Sequence, residues 1–201
     1  MIDAPERTLE LLKNSNALLE GHFLLSSGRH AGRYVQCARL LQHPSFSEEV
    51  CAELASVIRT DLDEENPFDV IVGPAMGAVT FGYELARAFG VRGVFAERAP
   101  KGGFALRRGF SIQPGERVLV AEDVVTTGKS AKEVVVMLQE MGAGLVSVAS
   151  IVNRSGRSDP FDALPYYALT ELEIPSWSAD ACPLCADGAD PAVKPGSRPG
   201  L

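Results

Sequence analysis

The sequence predicts an α/β fold: a doubly wound, mainly parallel sheet flanked by helices, with a small N-terminal lobe of hairpin and helix. Three observations carry it. From residue 68 onward, short β-branched runs alternate with amphipathic helical stretches. The runs are apolar, as strands covered on both faces by helices are. The chain has 201 residues, 46% apolar and 22% charged, which suits one α/β domain with its own core and excludes disorder throughout.

The elements follow in order. Residues 6–19 read as a helix, with Leu9, Leu12, Ala17 and Leu19 on one face and Gly21 as a stop. Residues 23–29 and 34–37 read as two short strands around a polar turn. A second helix is predicted over 47–62, with Ser47 as N-cap and Val50, Leu54, Val57 and Ile58 as its stripe. The run 68–72 is a strand closed by Gly73 and Pro74, and 79–89 is a helix ended by Gly90. Strands are expected over 91–96 and 117–121, a helix over 131–141, and a further strand over 145–152. The expected division is an N-terminal lobe over 1–66, an α/β core over 67–174 and a tail over 175–201. Residues 186–201 are rich in helix and strand breakers and read as loosely held.

Charge narrows the function classes. Nineteen basic against 26 acidic residues give −7, which speaks against a duplex-coating protein and against a basic membrane-surface helix. No apolar run approaches the roughly 18 residues of a membrane span. The N-terminus does not read as a secretory signal, and the four cysteines form no disulfide framework. The expected location is the cytoplasm, with no nucleic-acid and no membrane partner.

In parallel sheets, ligands bind at the carboxyl ends of the strands. There the stretch from Val118 to Ser130 is the most informative. An apolar strand ends in Glu122 and Asp123, then Val124, Val125, Thr126, Thr127, Gly128, Lys129 and Ser130 lead into a helix. Free N–H groups and hydroxyls at a helix start make an anion site, and Gly128 lets the backbone come close. A Walker A loop would need glycine where Asp123 stands, and a dinucleotide fingerprint would need three glycines. The two carboxylates would repel a phosphate but suit ribose hydroxyls. The inferred ligand is a ribose 5-phosphate moiety. A strand-to-helix turn with surface acids and a hydroxyl cap is the plainer alternative.

This stretch resembles the phosphoribosyl-diphosphate (PRPP) motif of type I phosphoribosyltransferases. The segment from Gly21 to Arg29, with Ser27 and Gly28, followed by Tyr34, resembles the hairpin of the orotate phosphoribosyltransferases. Gly73, Pro74, Ala75, Met76 and Gly77 resemble their pyrophosphate loop, and Glu97, Arg98 and Lys101 the start of their mobile catalytic loop. Arg154 resembles the arginine that meets the orotate carboxylate. The likeness runs from about residue 8 to residue 174. It departs at Ser26 and Gly77, where better-known members carry lysine, at Glu122, where they carry aspartate, and in a shorter loop without histidine.

The resemblance implies a type I phosphoribosyltransferase fold and transfer of the phosphoribosyl group from PRPP to orotate. The products would be orotidine 5′-monophosphate and diphosphate, a step of pyrimidine synthesis. It implies that residues 126–130 cradle the 5′-phosphate, that Glu122 and Asp123 address the ribose, and that residues 73–77 offer backbone to the pyrophosphate. Arg98 and Lys101 would be catalytic cations on a lid with Gly102 and Gly103. Arg107 and Arg108 would compensate for the missing lysines. Arg154, Thr126, Ser27 and Tyr34 would meet orotate. Mg²⁺ is the implied cofactor, held mainly by substrate oxygens and water, and a homodimer is the implied assembly. The alternatives are another acceptor base or a PRPP-sensing regulator without turnover. Cys182 and Cys185 have half the spacing of a zinc site. The chain offers no second close cysteine pair, although a homodimer could supply one, so reduced thiols in a tail are the expectation.

Overall fold

The computed structural model describes residues 3–162, 164–188 and 190–195. The elements are α1 (Ala4–Asn14), β1 (Leu18–Leu24), β2 (His30–Val35), α2 (Ala38–Leu41), α3 (Pro44–Leu62), β3 (Val70–Pro74), α4 (Val79–Phe89), β4 (Arg92–Arg98), β5 (Phe104–Leu106), β6 (Arg117–Val125), α5 (Lys129–Glu140), β7 (Leu145–Asn153), β8 (Tyr166–Glu171), β9 (Ser176–Trp177), a 3-10 turn (Ala179–Ala181) and α6 (Pro183–Ala186).

The large sheet has the order β5-β4-β3-β6-β7-β8. Its strands pair in parallel, except β5, which forms an antiparallel edge on β4. Side chains two apart share a face. Ile71, Leu119, Ala149 and Ile151 therefore point one way, into a core with Leu11 of α1, Leu54 of α3, and Phe81 and Leu85 of α4. Val70, Val72, Val118, Val120 and Val148 point the other way, onto Ala131, Val134 and Leu138 of α5. Helices on both faces explain the unbroken apolar strands. β1, β2 and β9 form a small antiparallel sheet.

Several boundaries differ from expectation for identifiable reasons. The first helix stops at Asn14, because Asn16 turns left-handed (φ 53°), and Leu18 and Leu19 begin β1 instead. Ser47 is not a cap. α3 starts three residues earlier, at Pro44, whose fixed φ suits a first helical position, and Ser47 is buried and donates to the Leu41 carbonyl at 3.1 Å. β6 runs to Val125, so Glu122 and Asp123 lie within the strand. α2, β5, β8 and β9 have no counterpart in the sequence reading. β5 and β9 are too short for a periodic signal, and β8 is a mixed-polarity edge.

The C-terminal segment is held more firmly than its composition suggests. Val193 exchanges backbone hydrogen bonds with β1, accepting from Leu24 and donating to His22, both at 2.9 Å. Residues 196–201 of the predicted tail lie outside the described residues. No helix among the described residues is long and apolar enough to cross a membrane.

Candidate active site

The carboxyl ends of β3, β4, β6 and β7 gather most of the predicted residues. At the end of β6 the chain passes through Thr126 and Thr127, both exposed, into α5. Gly128 is the N-cap, with φ 68°, and has no side chain to cap the helix. The Lys129 N–H reaches Thr127 Oγ1 at 3.4 Å and the Ala131 N–H serves the Glu122 carboxylate, so an anion would meet a helix start whose positive end is only partly engaged.

Glu122 and Asp123 sit side by side behind this turn. Glu122 Oε2 is buried with no hydrogen-bond partner. Burial, and the neighbouring Asp123, push its carboxyl up to about 8, against the smaller pull of Arg98. Burial also raises Asp123, while backbone N–H groups of Val124 and Asp123 oppose the rise. The Ala131 N–H also serves Glu122, so it is Glu122 Oε2 alone of these oxygens that stands buried without a donor.

The β3 loop meets them from the side. A Cβ on Gly77 would stand 3.4 Å from Asp123 Oδ1, so the bare glycine lets the loop approach that acid. The Ala75–Met76 peptide is cis, and Met76 is 83% exposed. At Gly73 a Cβ would meet the Ala78 carbonyl at 2.5 Å, which excludes any larger residue there.

Arg98 ends β4 beside the start of α5. Its guanidinium pairs with Glu133, donates to Ser130 Oγ at 3.2 Å and lies 4.1 Å over the Phe104 ring. Lys101 is exposed in a tight β4–β5 turn, where Ala99 and Gly103 hydrogen-bond at 3.1 Å. The predicted lid is therefore a short closed hairpin. Arg107 and Arg108 face Glu97, Arg108 at 2.8 Å.

Arg154 follows β7, and its backbone N–H donates to the Val125 carbonyl at 2.7 Å. Its Nε is buried without a partner, and burial disfavours its charge. Asn153 shapes this loop, donating to the Arg157 carbonyl at 3.0 Å and accepting from Ser155 N–H at 3.0 Å. Tyr34 faces both Arg154 and Asp123 electrostatically. Burial raises its hydroxyl first, Asp123 next, and Arg154 opposes them. Ser27 lies exposed in the β1–β2 turn.

Sequence reasoning missed three contributors. Glu133 holds Arg98 and lies 3.9 Å from Lys129 Nζ; its place four residues after Lys129 on a helix was the available signal. Phe161 backs Gly128. The Cys37 thiol lies 3.8 Å from the Asp123 carbonyl. The last two are contacts across the fold, invisible to local pattern.

A strand carrying two half-buried acids near its end, a hydroxyl turn leading into a helix and a glycine loop beside them are the features of a phosphoribosyltransferase. The family described as "Phosphoribosyl transferase domain" matches residues 37–184. The orotate phosphoribosyltransferase of Heliobacterium modesticaldum is 47% identical over 193 residues, covering 96% of this chain and 98% of that protein. That of Thermotoga maritima is 48% identical over 189 residues, covering 94% and 97%. Among solved structures, Mycobacterium tuberculosis H37Rv orotate phosphoribosyltransferase with inorganic phosphate is 29% identical, with TM-score 0.63 over 82% of this chain and 95% of that one. The chain belongs to the orotate phosphoribosyltransferase family of the type I phosphoribosyltransferases.

Proposed function

We propose that this chain transfers the 5-phosphoribosyl group of PRPP to orotate, releasing diphosphate, through the residues gathered at the strand ends. The observation that carries the acceptor is Arg154: a guanidinium with a buried, unpartnered Nε beside Tyr34, which suits a planar carboxylate. Thr126 directly follows β6, and Ser27 belongs to the hairpin that carries Tyr34.

Residues 126–130 hold the 5′-phosphate on the α5 N-terminus. Glu122 and Asp123 accept from the ribose hydroxyls, which gives the orphaned Glu122 Oε2 its missing donor. Within the 73–77 loop Pro74 has no N–H and the Ala75 N–H donates to the Ala96 carbonyl at 2.8 Å, so Met76 and Gly77 are the ones to offer backbone N–H groups to the diphosphate. The ribose C1–O bond breaks with oxocarbenium character, so no protein nucleophile is needed. Positioning and charge supply the rate, and Arg98 and Lys101 would supply positive charge to the leaving group.

Mg²⁺ fits the hard oxygen donors of this site. It would be held mainly by diphosphate and water, with Glu122 and Asp123 as the chain's own oxygen donors. Bound there, it would neutralise the leaving diphosphate. A cytoplasmic homodimer completes the reading, supported by the family likeness, and sedimentation of the purified chain tests the assembly.

The test is the loss of orotate absorbance on mixing chain, PRPP and Mg²⁺, with adenine, guanine, hypoxanthine and uracil as parallel acceptors. Turnover of orotate alone is expected. Turnover of another base, or PRPP binding with no turnover, would overturn the proposal.

A further inference from the structure

The C-terminal segment brings together four side chains that the transfer reaction does not use. His22 of β1, His30 of β2, and Cys182 and Cys185 flanking the start of α6 place their ligand atoms within 4.8 Å of one another. They come from three separate parts of the chain, and two are more than 150 residues from the others in sequence. We propose that they form a structural zinc site, bound through His22 Nε2, His30 Nδ1 and the two thiolates.

The spacing fits a tetrahedral ion. Cys182 Sγ lies 3.5 Å from His22 Nε2, and Cys185 Sγ lies 3.6 Å from His22 Nε2 and 3.4 Å from His30 Nδ1. Zn–N bonds of about 2.0–2.1 Å and Zn–S bonds of about 2.3 Å give N···S edges of about 3.5 Å. The two nitrogens are 2.8 Å apart. A bound ion widens that edge to about 3.3 Å.

The surrounding groups prepare the ligands. His22 Nδ1 lies 2.8 Å from the Asp190 carbonyl. A carbonyl only accepts, so Nδ1 carries the proton and Nε2 presents its lone pair to the cluster. The β1–β2 register shifts between Glu20 and Phe23, so His22 sits in an irregularity that re-aims it. His30 pairs with Trp177 of β9, just ahead of the two cysteines. Leu184, between the cysteines, approaches Gly32 of β2, where a Cβ would stand 3.8 Å away. Two imidazoles and two thiolates select zinc over magnesium or calcium. Four protein ligands leave no open position, which marks a structural rather than a catalytic ion.

The ion would staple the C-terminal segment to the hairpin that carries Ser27 and Tyr34, and its binding energy would add to folding. The inference stands apart from the choice of acceptor base, because its readout is metal content.

The experiment is elemental analysis of the full chain purified from zinc-replete culture, beside a Cys182→Ser, Cys185→Ser double variant. One zinc per chain, lost in the variant, is expected. Misfolding of the variant is bypassed in the natural sequence by two readings. Cobalt(II) exchanged into the chain should give the visible bands of a tetrahedral thiolate complex, and a chelator should release two protected thiols. Substoichiometric zinc with freely reactive thiols, a Cys182–Cys185 disulfide, or zinc retained by the folded variant would each overturn the proposal.

Discussion

Gly128 lies against Phe161: a Cβ at Gly128 would stand 3.0 Å from the ring edge, and the glycine already holds φ 68°. Both conditions act at the head of α5, where the 5′-phosphate is proposed to sit. A left-handed non-glycine residue costs roughly 1–3 kcal/mol. Gly128→Ala is expected to lower the melting temperature by roughly 2–4 °C per kcal/mol lost and to weaken PRPP binding about tenfold or more. Adding Phe161→Leu should restore part of the stability by relieving the contact. It should restore little of the affinity, because the backbone strain remains. Calorimetric titration and thermal melts of the three variants read the two effects separately.

Glu122 makes stability and ligand binding depend on pH. Its carboxyl is pushed up to about 8 by burial and by Asp123. A raised folded value means the folded chain holds a proton that the unfolded chain has released. Above the unfolded value of about 4.3, stability therefore falls as pH rises, until the folded group has also ionised near 8. Glu122→Gln is expected to flatten this decline between about pH 5 and pH 8, measured by denaturant melts across that range. Ribose hydroxyls donate to the ionised form, so PRPP binding near neutral pH should release a proton. Titration calorimetry in buffers of different ionisation enthalpy counts it, and an unchanged count in Glu122→Gln would assign the proton elsewhere.

The fold was legible where strands are covered on both faces. The apolar run ending at Gly73 and Pro74 and the amphipathic stretch from Val79 to Phe89 needed only local pattern, and α4 has the expected bounds. Leu18 and Leu19 misled because leucines fit a helical face as well as a strand, and the left-handed Asn16 decides between them. The place of the candidate site was legible in a short contiguous motif: Glu122 and Asp123 ahead of Gly128 lie on one strand-to-helix turn. What escaped was side-chain company across the fold. Glu133 beside Arg98, Phe161 behind Gly128, and His22 and His30 beside Cys182 and Cys185 join residues that only the folded chain makes neighbours.

Arg154 is expected to separate acceptor binding from PRPP binding. Its Nε is buried and unpartnered, so a carboxylate arriving there gains a charge-assisted hydrogen bond without displacing an existing one. Such a bond contributes about 1.5–3 kcal/mol. Arg154→Lys should therefore raise the orotate KM roughly tenfold to a hundredfold, since an ammonium cannot match a planar fork. The PRPP dissociation constant should stay within about twofold. Steady-state kinetics with each substrate varied in turn measures both. An equal loss for the two substrates would mean that Arg154 supports the loop rather than the acceptor.

Arg98 is engaged in the free chain, and that engagement predicts an unusual variant. Glu133 and Ser130 hold its guanidinium over the Phe104 ring at the mouth of the site. The ion pair is half exposed on the arginine side, so its net worth is at most about 1 kcal/mol. A diphosphate arriving beside Arg98 competes with Glu133 for the same cation. Removing the competitor should help the substrate: Glu133→Gln is expected to lower the PRPP KM by up to about fivefold with the melting temperature nearly unchanged. Arg98→Ala should instead lower kcat about a hundredfold, as for other lost transition-state donors. The opposite result for Glu133→Gln, a raised KM, would mean that the carboxylate aims Arg98 at the substrate. The sign of that one change decides whether Glu133 restrains the cation or positions it.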